Sequence, residues 1–229
     1  MSAARKSLVI VPTKGRAATI SERIIENARL SSVSDFVLAV DFDDRGDYSW
    51  AESNSIKISR GPSLGMNFAL NRVAMERADD YEYLSFMGDD SAVKTPGWDE
   101  ILIKGLEKKG FGVAYGDDLL SDGKLPTFVI ISSDIIRSLG YMAPPVLKHM
   151  FLDNFWLHLG TKLEACYFDK NVIVEHLHPS AGKAVLDDTY RATNRHIVNL
   201  RDKARYYLYL VIAFPVALKI LRKDLAGRR

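Results

Sequence analysis

Acidic side chains follow two apolar segments of the sequence, at the point where each segment ends. Asp41 and Asp43 come at the end of DFVLAVDFD, and Asp89 and Asp90 follow YEYLSFMG. A third apolar run, SLVIVPT, leads within a few residues to Arg16. Carboxylates are the ligands that Mg²⁺ and Mn²⁺ prefer, and arginine pairs with phosphate oxygens. The residue types therefore predict a site for a divalent cation and a phosphorylated ligand.

These side chains meet only if their segments lie in one sheet. Short β-branched runs alternate with segments of helical periodicity, which predicts an α/β fold with a mostly parallel sheet and helices on both faces. In such sheets ligands bind beyond the carboxyl ends of the strands. The predicted strands are 7–13, 35–41, 55–59, 81–87, 111–116 and 125–132, and the predicted helices are 17–30, 62–78, with Pro62 in its first turn, and 97–109.

The pattern changes after residue 132. A short helix at 133–139 and a helix near 151–160 precede two strands, near EACYF and NVIVEH. The last part reads as helical, with a polar amphipathic segment at 187–204 and an apolar segment at 206–220 that Pro215 interrupts. We therefore expect a helical C-terminal extension.

Some of the acidic residues also fit simpler structural roles. Asp44 and Asp47, next to Gly46, are typical of a solvated turn, and for these two we favour that interpretation. Asp89 and Asp90 also fit a turn, or Asp90 a helix cap. The sequence has no GxGxxG after the first strand and no GxxxxGK[ST], so it lacks the two commonest nucleotide-binding signatures of parallel sheets.

Length and composition limit the class of protein. The 229 residues, 47% of them apolar and 26% charged, suit one globular domain with a substantial core. The single cysteine, Cys166, excludes an internal disulfide framework and a multi-cysteine zinc site. The first residues lack the apolar run of a signal peptide, so we expect a cytoplasmic location.

Several segments, taken in order, resemble the A-type-fold glycosyltransferases similar to family 2, with phage-encoded members the nearest in appearance. The segments are LVIVPTKGR, VDFDD, GPSLGMNFALN, YLSFMGDD…PGW and SSDIIRSLGYM…FLDNFWLHLG, and together they cover about residues 7 to 180. The resemblance implies a Rossmann-like A-type fold, a nucleotide-diphosphate sugar donor and a divalent cation, Mn²⁺ or Mg²⁺. It divides the chain into a catalytic domain at 1–185, with a nucleotide-sugar half at 1–116 and an acceptor half at 117–185, and a helical extension at 186–229.

The resemblance also assigns roles to residues. Asp90 would be the last acid of the family's Asp-x-Asp motif and a metal ligand. Gly88 then stands where the motif has its first acid, so Asp89 would substitute for that acid or assist it. Thr13 and Arg16 would line the nucleotide. The implied donor-binding set is Pro12, Thr13, Arg16, Asp41, Asp43, Gly65, Asn67, Asp89 and Lys183.

Asp153 in FLDNFW is the candidate general base. An inverting transfer needs a carboxylate to deprotonate the acceptor hydroxyl, and the resemblance places an acid of this helix beneath the acceptor. A helix N-cap or a surface acid is the alternative role for Asp153. Trp98 and Trp156 could form a sugar platform, although core packing is the commoner role of a helical tryptophan.

The segment VEHLHPSAGK holds a second group of candidates. His176 and His178 alternate along a strand-like segment, so both can face one side and either can supply a late metal ligand beside Asp90. Lys183 could reach the diphosphate oxygens. Structural histidines and a plain surface lysine are the alternatives. His149, His158 and His196 lack such neighbours, and we assign them no role.

The C-terminal segment is basic as well as apolar. Residues 201–229 hold eight Lys and Arg against two Asp, although the whole chain carries only +2. The apolar part is shorter than the run of about 20 apolar residues that a transmembrane helix needs. Residues 206–223 fit an interfacial membrane helix, peripheral to a membrane, and equally fit packing on the catalytic body or a homodimer contact. A basic tail that holds DNA is a weaker fit, because the apolar part does nothing for phosphate binding.

The sequence thus favours a metal-assisted glycosyltransferase that moves a sugar from a nucleotide diphosphate to a hydroxyl acceptor of unknown class. Nucleic acid enters this hypothesis only as an acceptor. One rival is a nucleotidyltransferase, which usually carries a glycine-rich basic loop after the first strand, whereas PTKGRAAT has a single glycine. The other rival is a non-catalytic module of the same fold that binds sugar or nucleic acid.

Overall fold

The structure, a computed structural model, describes residues 6–177 and 196–226. Its elements lie in chain order along these residues. They are β1 (Ser7–Thr13), α1 (Ala17–Arg29), β2 (Ser34–Asp41), α2 (Ser49–Ser53), β3 (Lys57–Gly61), α3 (Met66–Arg77), β4 (Tyr83–Phe86), β5 (Ser91–Val93), α4 (Trp98–Glu107), β6 (Val113–Asp117), β7 (Val129–Ser132), α5 (Ser133–Leu139), α6 (Leu152–Lys162), β8 (Cys166–His176), α7 (His196–Ile212) and α8 (Phe214–Asp224).

The described strands form one sheet in the order β3-β2-β1-β4-β7-β6-β8-β5. Strands β3, β2, β1 and β4 run parallel to one another, as do β6 and β8. Strand β7 is antiparallel to both β4 and β6, and β5 is antiparallel to β8. The predicted α/β class is confirmed. The sheet is mixed, because the second half of the chain adds antiparallel pairs to the parallel first half.

Strand β1 lies at the centre of the parallel half and is buried along its whole length. Because side chains alternate between faces, Val9 and Val11 join one apolar cluster and Leu8 and Ile10 join the other. Helices α1, α2 and α4 cover the first face, and α3, α5, α6, α7 and α8 cover the second. The helices therefore lie on both faces, as the sequence predicts.

Several element bounds differ from the sequence prediction. The helix predicted from Pro62 begins at Met66, because Gly65 precedes it with a φ of 103°, outside the helical range. The strand predicted at 125–132 is reduced to β7, since the loop before it folds around Asp118. The two strands predicted near EACYF and NVIVEH are one strand, β8, which pairs with β6 and then with β5.

The C-terminal helices pack on the body of the protein. Tyr206, Tyr209, Phe214, Leu221 and Leu225 are buried in the same apolar cluster as α3, α5 and α6. Helix α8 begins next to Pro215, and the two helices meet at an angle of 53°. Among the described residues no single helix could cross a membrane, whereas the bent pair 199–212 and 214–224 jointly has the required length and composition.

Candidate active site

A cavity of about 420 Å³ opens where β1, β2 and β4 end. This is the carboxyl edge of the parallel strands, where the sequence predicts the acidic residues Asp41, Asp43, Asp89 and Asp90. Segments from the second half of the chain, including the first turn of α6 and the end of β8, form the opposite wall. Residues predicted for the site that line this cavity are Pro12, Thr13, Arg16, Asp41, Gly65, Asp89, Asp90, Asp153 and His176.

Asp89 is buried between β1 and the start of α1. Its carboxylate accepts hydrogen bonds of 2.7 Å from the Thr13 hydroxyl and 2.7 Å from the Arg16 guanidinium. Burial raises the pKa of Asp89, and the positive charge of Arg16 offsets part of that rise. Asp89 therefore fixes the position of Arg16, whose guanidinium lines the cavity.

Helix α1 holds the backbone around the acidic pair. Arg23 donates to the Asp89 carbonyl oxygen at 2.6 and 3.0 Å. One turn later, the buried Asn27 donates to the Ser91 carbonyl at 2.8 Å and accepts from the Val93 amide at 2.8 Å. Neither residue was predicted from the sequence to belong to the site. Their spacing of one helical turn on the buried side of an amphipathic helix is the signal that could have found them.

Gly88 lies against the carboxylate of Asp90. A Cβ atom at position 88 would come within 2.6 Å of the Asp90 Oδ1 atom. The backbone of Gly88 does not need a left-handed conformation, so the constraint is the space taken by Asp90. An acid at the first position of an Asp-x-Asp motif would not fit this arrangement of Asp90.

Asp90 and His176 form a pair at the cavity wall. Antiparallel pairing aligns Ser91 of β5 with His176 of β8, and the His176 Nε2 atom lies 3.3 Å from Asp90 Oδ2. Burial opposes ionisation of both groups, but their mutual attraction holds the pKa of Asp90 below its usual value and that of His176 above it.

A carboxylate and an imidazole that face one cavity suit a divalent transition metal such as Mn²⁺. Asp90 and His176 would supply two ligands. Among residues 6–177 and 196–226, no three His, Cys, Asp or Glu side chains are grouped closely enough to hold a metal ion. The remaining ligands would have to come from solvent or a bound diphosphate.

Asp153 lies in the first turn of α6 and faces the cavity. Phe151 occupies the N-cap position with a φ of 69°, so Asp153 does not have the N-cap role that was its alternative. The Asp153 Oδ1 atom accepts from the amide of Asn154 at 2.8 Å. Burial raises the pKa of Asp153, and this hydrogen bond opposes the rise only in part. A raised pKa suits a carboxylate that accepts a proton.

Lys14 and Asp41 form the other side of the cavity. The Lys14 ammonium lies 2.9 Å from Asp41 Oδ2, and the Ser63 hydroxyl donates to the same carboxylate at 2.9 Å. The Asp43 carboxylate also lies 3.2 Å from the Lys14 ammonium, but the Asp43 side chain is 61% exposed. Of the two acids in the implied donor-binding set that follow β2, Asp41 lines the cavity and Asp43 does not.

Three other acidic or polar residues do not line the cavity. The Asn67 amide, predicted to contact the donor, instead donates to the Pro144 and Leu147 carbonyls at 2.8 Å and does not line the cavity. Asp44 is buried, contrary to the solvated turn that we favoured, and accepts from the Gly15 amide at 2.7 Å. Asp47 is in an exposed turn, as predicted.

His178 and Lys183 lie outside the described residues, so both remain predictions. The tryptophans have different positions. Trp98 is buried against Phe128, away from the cavity, as core packing predicts. Trp156 is buried too, but it lines the cavity.

The turn before α6 was not predicted to contribute. His149, Met150 and Phe151 line the cavity, and the buried Asp202 of α7 accepts from the amides of Lys148, His149 and Met150 at 2.9 to 3.2 Å. Burial lowers the pKa of His149. No sequence pattern links residue 202 to residues 148–150, so only the fold shows this contact.

The fold of this chain matches those of known sugar transferases. A mannosyltransferase from Pyrobaculum calidifontis, solved with GDP-mannose and Mn²⁺, superposes with a TM-score of 0.60 at 16% identity over 98% of this chain and 75% of its own. The fold is that of the A-type glycosyltransferases. No protein-family model and no curated protein sequence matches the chain.

Two further structures agree. Glucosyl-3-phosphoglycerate synthase from Mycobacterium tuberculosis, solved with Mn²⁺, UDP and its product, has a TM-score of 0.55 at 16% identity, over 79% of this chain and 76% of its own. Staphylococcus aureus TarS has a TM-score of 0.57 at 16% identity, and the match covers 74% of this chain and 36% of TarS. The A-type fold implied by the resemblance is thus confirmed.

Proposed function

We propose that this protein is a glycosyltransferase that uses a nucleotide-diphosphate sugar, with a divalent cation held by Asp90 and His176. The observation that carries the proposal is a single cavity at the carboxyl edge of the sheet. It is lined by the Asp90–His176 pair, which suits a metal ion, by Arg16 and by the buried carboxylate of Asp153. Two of the similar structures, the mannosyltransferase and the phosphoglycerate synthase, were solved with GDP-mannose or UDP together with Mn²⁺, which supports this class of donor.

The donor would bind on the β1 and β2 side of the cavity. Four residues on this side line the cavity: Asp41 and Lys14 would lie beside the nucleoside, and Thr13 and Arg16 beside the diphosphate. Arg16 is held by Asp89, so it meets a phosphate with little loss of side-chain freedom. A cation bound at Asp90 and His176 would offset negative charge on the departing diphosphate.

The acceptor would bind on the α6 side. In an inverting transfer, the Asp153 carboxylate takes the proton of the acceptor hydroxyl as the hydroxyl oxygen attacks the sugar carbon and the bond to the diphosphate breaks. Burial favours this proton transfer, since a raised pKa makes Asp153 a stronger base than an exposed aspartate.

Calorimetry with UDP, GDP and other nucleoside diphosphates, with and without Mn²⁺, tests the donor site. We expect metal-dependent binding of at least one of these nucleotides. If none of them shows metal-dependent binding, the proposal is contradicted.

Two assays test the rival functions. A nucleotidyltransferase would bind nucleoside triphosphates and release pyrophosphate, which a pyrophosphate assay detects. A non-catalytic module would bind a ligand but hydrolyse no nucleotide sugar in a slow-hydrolysis screen of a donor panel.

Substitution of Asp153 tests the base. Asp153→Asn should retain donor binding and lose transfer by a factor of about 10² or more, as expected when a general base is removed. Asp79→Asn, at a side chain that is 90% exposed, is the matched control and should keep full activity. Turnover by Asp153→Asn at the wild-type rate would exclude this role for Asp153.

A further inference from the structure

Helices α7 and α8 present an apolar surface that nothing in the described chain covers. Their inner sides are buried in the core, but six large side chains point outward and are 44 to 76% exposed. We call this set the apolar band: Tyr207, Leu208, Val211, Ile212, Val216 and Ile220. Exposed apolar residues at single positions are ordinary, but six within fourteen residues form a patch of the kind that marks an interaction surface.

Exposed cations stand on both sides of the apolar band. Arg201, Lys203 and Arg205 precede it, and Lys219, Arg222 and Lys223 lie within or after its last turn. Over 199–226 the acids are Asp202, which is buried against the 148–150 turn, and the exposed Asp224. The surface that surrounds the band is therefore strongly positive.

The apolar surface extends beyond the two helices. Arg205 also lines a groove on the α3 side, together with Leu64, Phe68, Met75 and Val146. These four apolar side chains are 41 to 58% exposed. One of the cations that flank the band, Arg205, is thus also part of this groove.

We propose that the apolar band and its cations dock on the surface of a membrane that contains anionic lipid. A helix that lies in the membrane interface carries apolar side chains on one side and Lys or Arg around them, which is the pattern seen here. The positive rim complements the negative charge of anionic headgroups. A second copy of this chain fits less well, because a two-fold contact through the band would bring the two basic rims together.

The fold holds the band in place for this contact. On the inner side of α7, Asp202 binds the backbone of the 148–150 turn and Tyr206 stacks on Phe151 at 5.4 Å between ring centroids. These inner contacts fix which side of the helix faces outward. They also attach the band directly to the wall of the cavity.

Vesicle sedimentation with the full chain tests the proposal. We expect binding to vesicles of phosphatidylcholine with phosphatidylglycerol, weaker binding in high salt, and little binding to phosphatidylcholine alone. Lys219→Glu/Lys223→Glu should weaken binding by about 25-fold or more, since each basic residue near an anionic surface contributes a factor of about five. Val211→Ser/Ile212→Ser should also weaken it, because their exposed side chains would enter the interface.

Matched controls separate docking from general charge and from loss of folding. Lys108→Glu/Lys109→Glu, at exposed lysines that follow α4 on the opposite side of the sheet, should bind vesicles like the wild type. All variants should keep the wild-type melting temperature and nucleotide binding. Equal loss of vesicle binding in the control would overturn the assignment of the surface.

Sedimentation velocity tests the alternative that a second copy of this chain covers the apolar band. A wild-type dimer that Val211→Ser/Ile212→Ser converts to a monomer, with no vesicle binding by either protein, would show that a second copy covers the band and would overturn the proposal. Vesicle binding does not involve the donor, so this result and the calorimetric test of the transferase proposal can fail independently.

Discussion

A side chain at position 88 would place its Cβ atom against the carboxylate of Asp90. The family resemblance suggests an acid there, but the sequence has glycine, and the distance of 2.6 Å to Asp90 Oδ1 gives the physical reason. The Asp89 carboxylate is engaged by Thr13 and Arg16, so in the proposed site it would not replace the missing acid at the cation. The adjacent acids thus divide into one that holds Arg16 and one that pairs with His176 at the cavity wall, where we propose the cation binds.

Gly88→Ala tests this division. The added methyl group should push the Asp90 carboxylate away from His176 and weaken Mn²⁺-dependent nucleotide binding by about tenfold, as the loss of ligand positioning does elsewhere. The melting temperature should change little, because Gly88 has an ordinary backbone conformation and the short Asp90 side chain can turn. Calorimetry with and without Mn²⁺ measures the effect. Unchanged metal-dependent binding would mean that Asp90 does not hold the cation.

The pKa of Asp153 predicts two opposite pH effects. Because burial raises its pKa in the folded protein, protonated Asp153 stabilises the fold at pH below its unfolded value, and this stabilisation is lost as pH rises through the folded value. Asp153→Asn should therefore be more stable than the wild type at neutral pH, by about 1 kcal/mol. The difference should shrink as pH falls towards about 4, the ordinary aspartate value.

Transfer should show the reverse dependence, since the base must be ionised. Wild-type turnover should fall as pH falls through the raised pKa of Asp153. Thermal melts across pH and initial rates across pH give the two curves. A variant less stable than the wild type at neutral pH would show that the ionised carboxylate is not penalised by burial.

At the scale of elements, helix α1 determines the shape of the loop between β4 and β5. Arg23 holds the backbone of this loop at Asp89, and Asn27 holds the strand that follows it at Ser91 and Val93. A loop that carries two adjacent acids needs such fixed partners, because their repulsion would otherwise spread it. The helix is thus as much a part of the site as the strands that end there.

Asn27→Ala should loosen this loop. It leaves the Ser91 carbonyl and the Val93 amide without their bonds in a buried place, which costs about 3 kcal/mol of unfolding free energy. Urea denaturation measures the loss, and calorimetry should show weaker donor binding at temperatures where the variant is folded. Asn54→Ala, which removes an exposed bond to the Trp50 carbonyl, is the control and should change the stability by less than about 0.5 kcal/mol.

The sequence predicts the elements better than it predicts their partners. The strands of the parallel half and the acids at their ends follow from apolar runs and local spacing, and the structure confirms both. The closeness of Asp90 and His176 depends on β5 pairing with β8, and the two residues are far apart in the chain. No local sequence pattern predicts that these two strands pair. For the same reason Asn67 and Asp44 were misjudged, since their partners come from other segments.

At the scale of the whole molecule, the C-terminal helices are part of the body. Leu221 is fully buried in the cluster that also contains Leu8 and Ile10 of the central strand. A separable extension would leave its apolar residues packed only among themselves. The division predicted at residue 186 therefore does not mark a break in the apolar core of the described residues.

Leu221→Ala should consequently destabilise the entire protein. Removal of this side chain leaves a cavity in the shared core and should cost about 3 kcal/mol in a single cooperative transition. Leu200→Ala, at a position that is 51% exposed, is the control and should have little effect. Calorimetric melting that showed two transitions, with only the minor one shifted, would contradict the shared core.

Trp156 has one further consequence. It is the tryptophan that borders the cavity, with its ring 5.1 Å from Phe86 and its indole nitrogen donating to the Met142 carbonyl, whereas Trp50 and Trp98 pack on the other side of the sheet. Its fluorescence emission should shift or be quenched when a ligand displaces water from that wall, while Trp156→Phe should lose the response. The chain thus contains its own optical reporter, through which occupancy of the cavity can be followed in real time without a label.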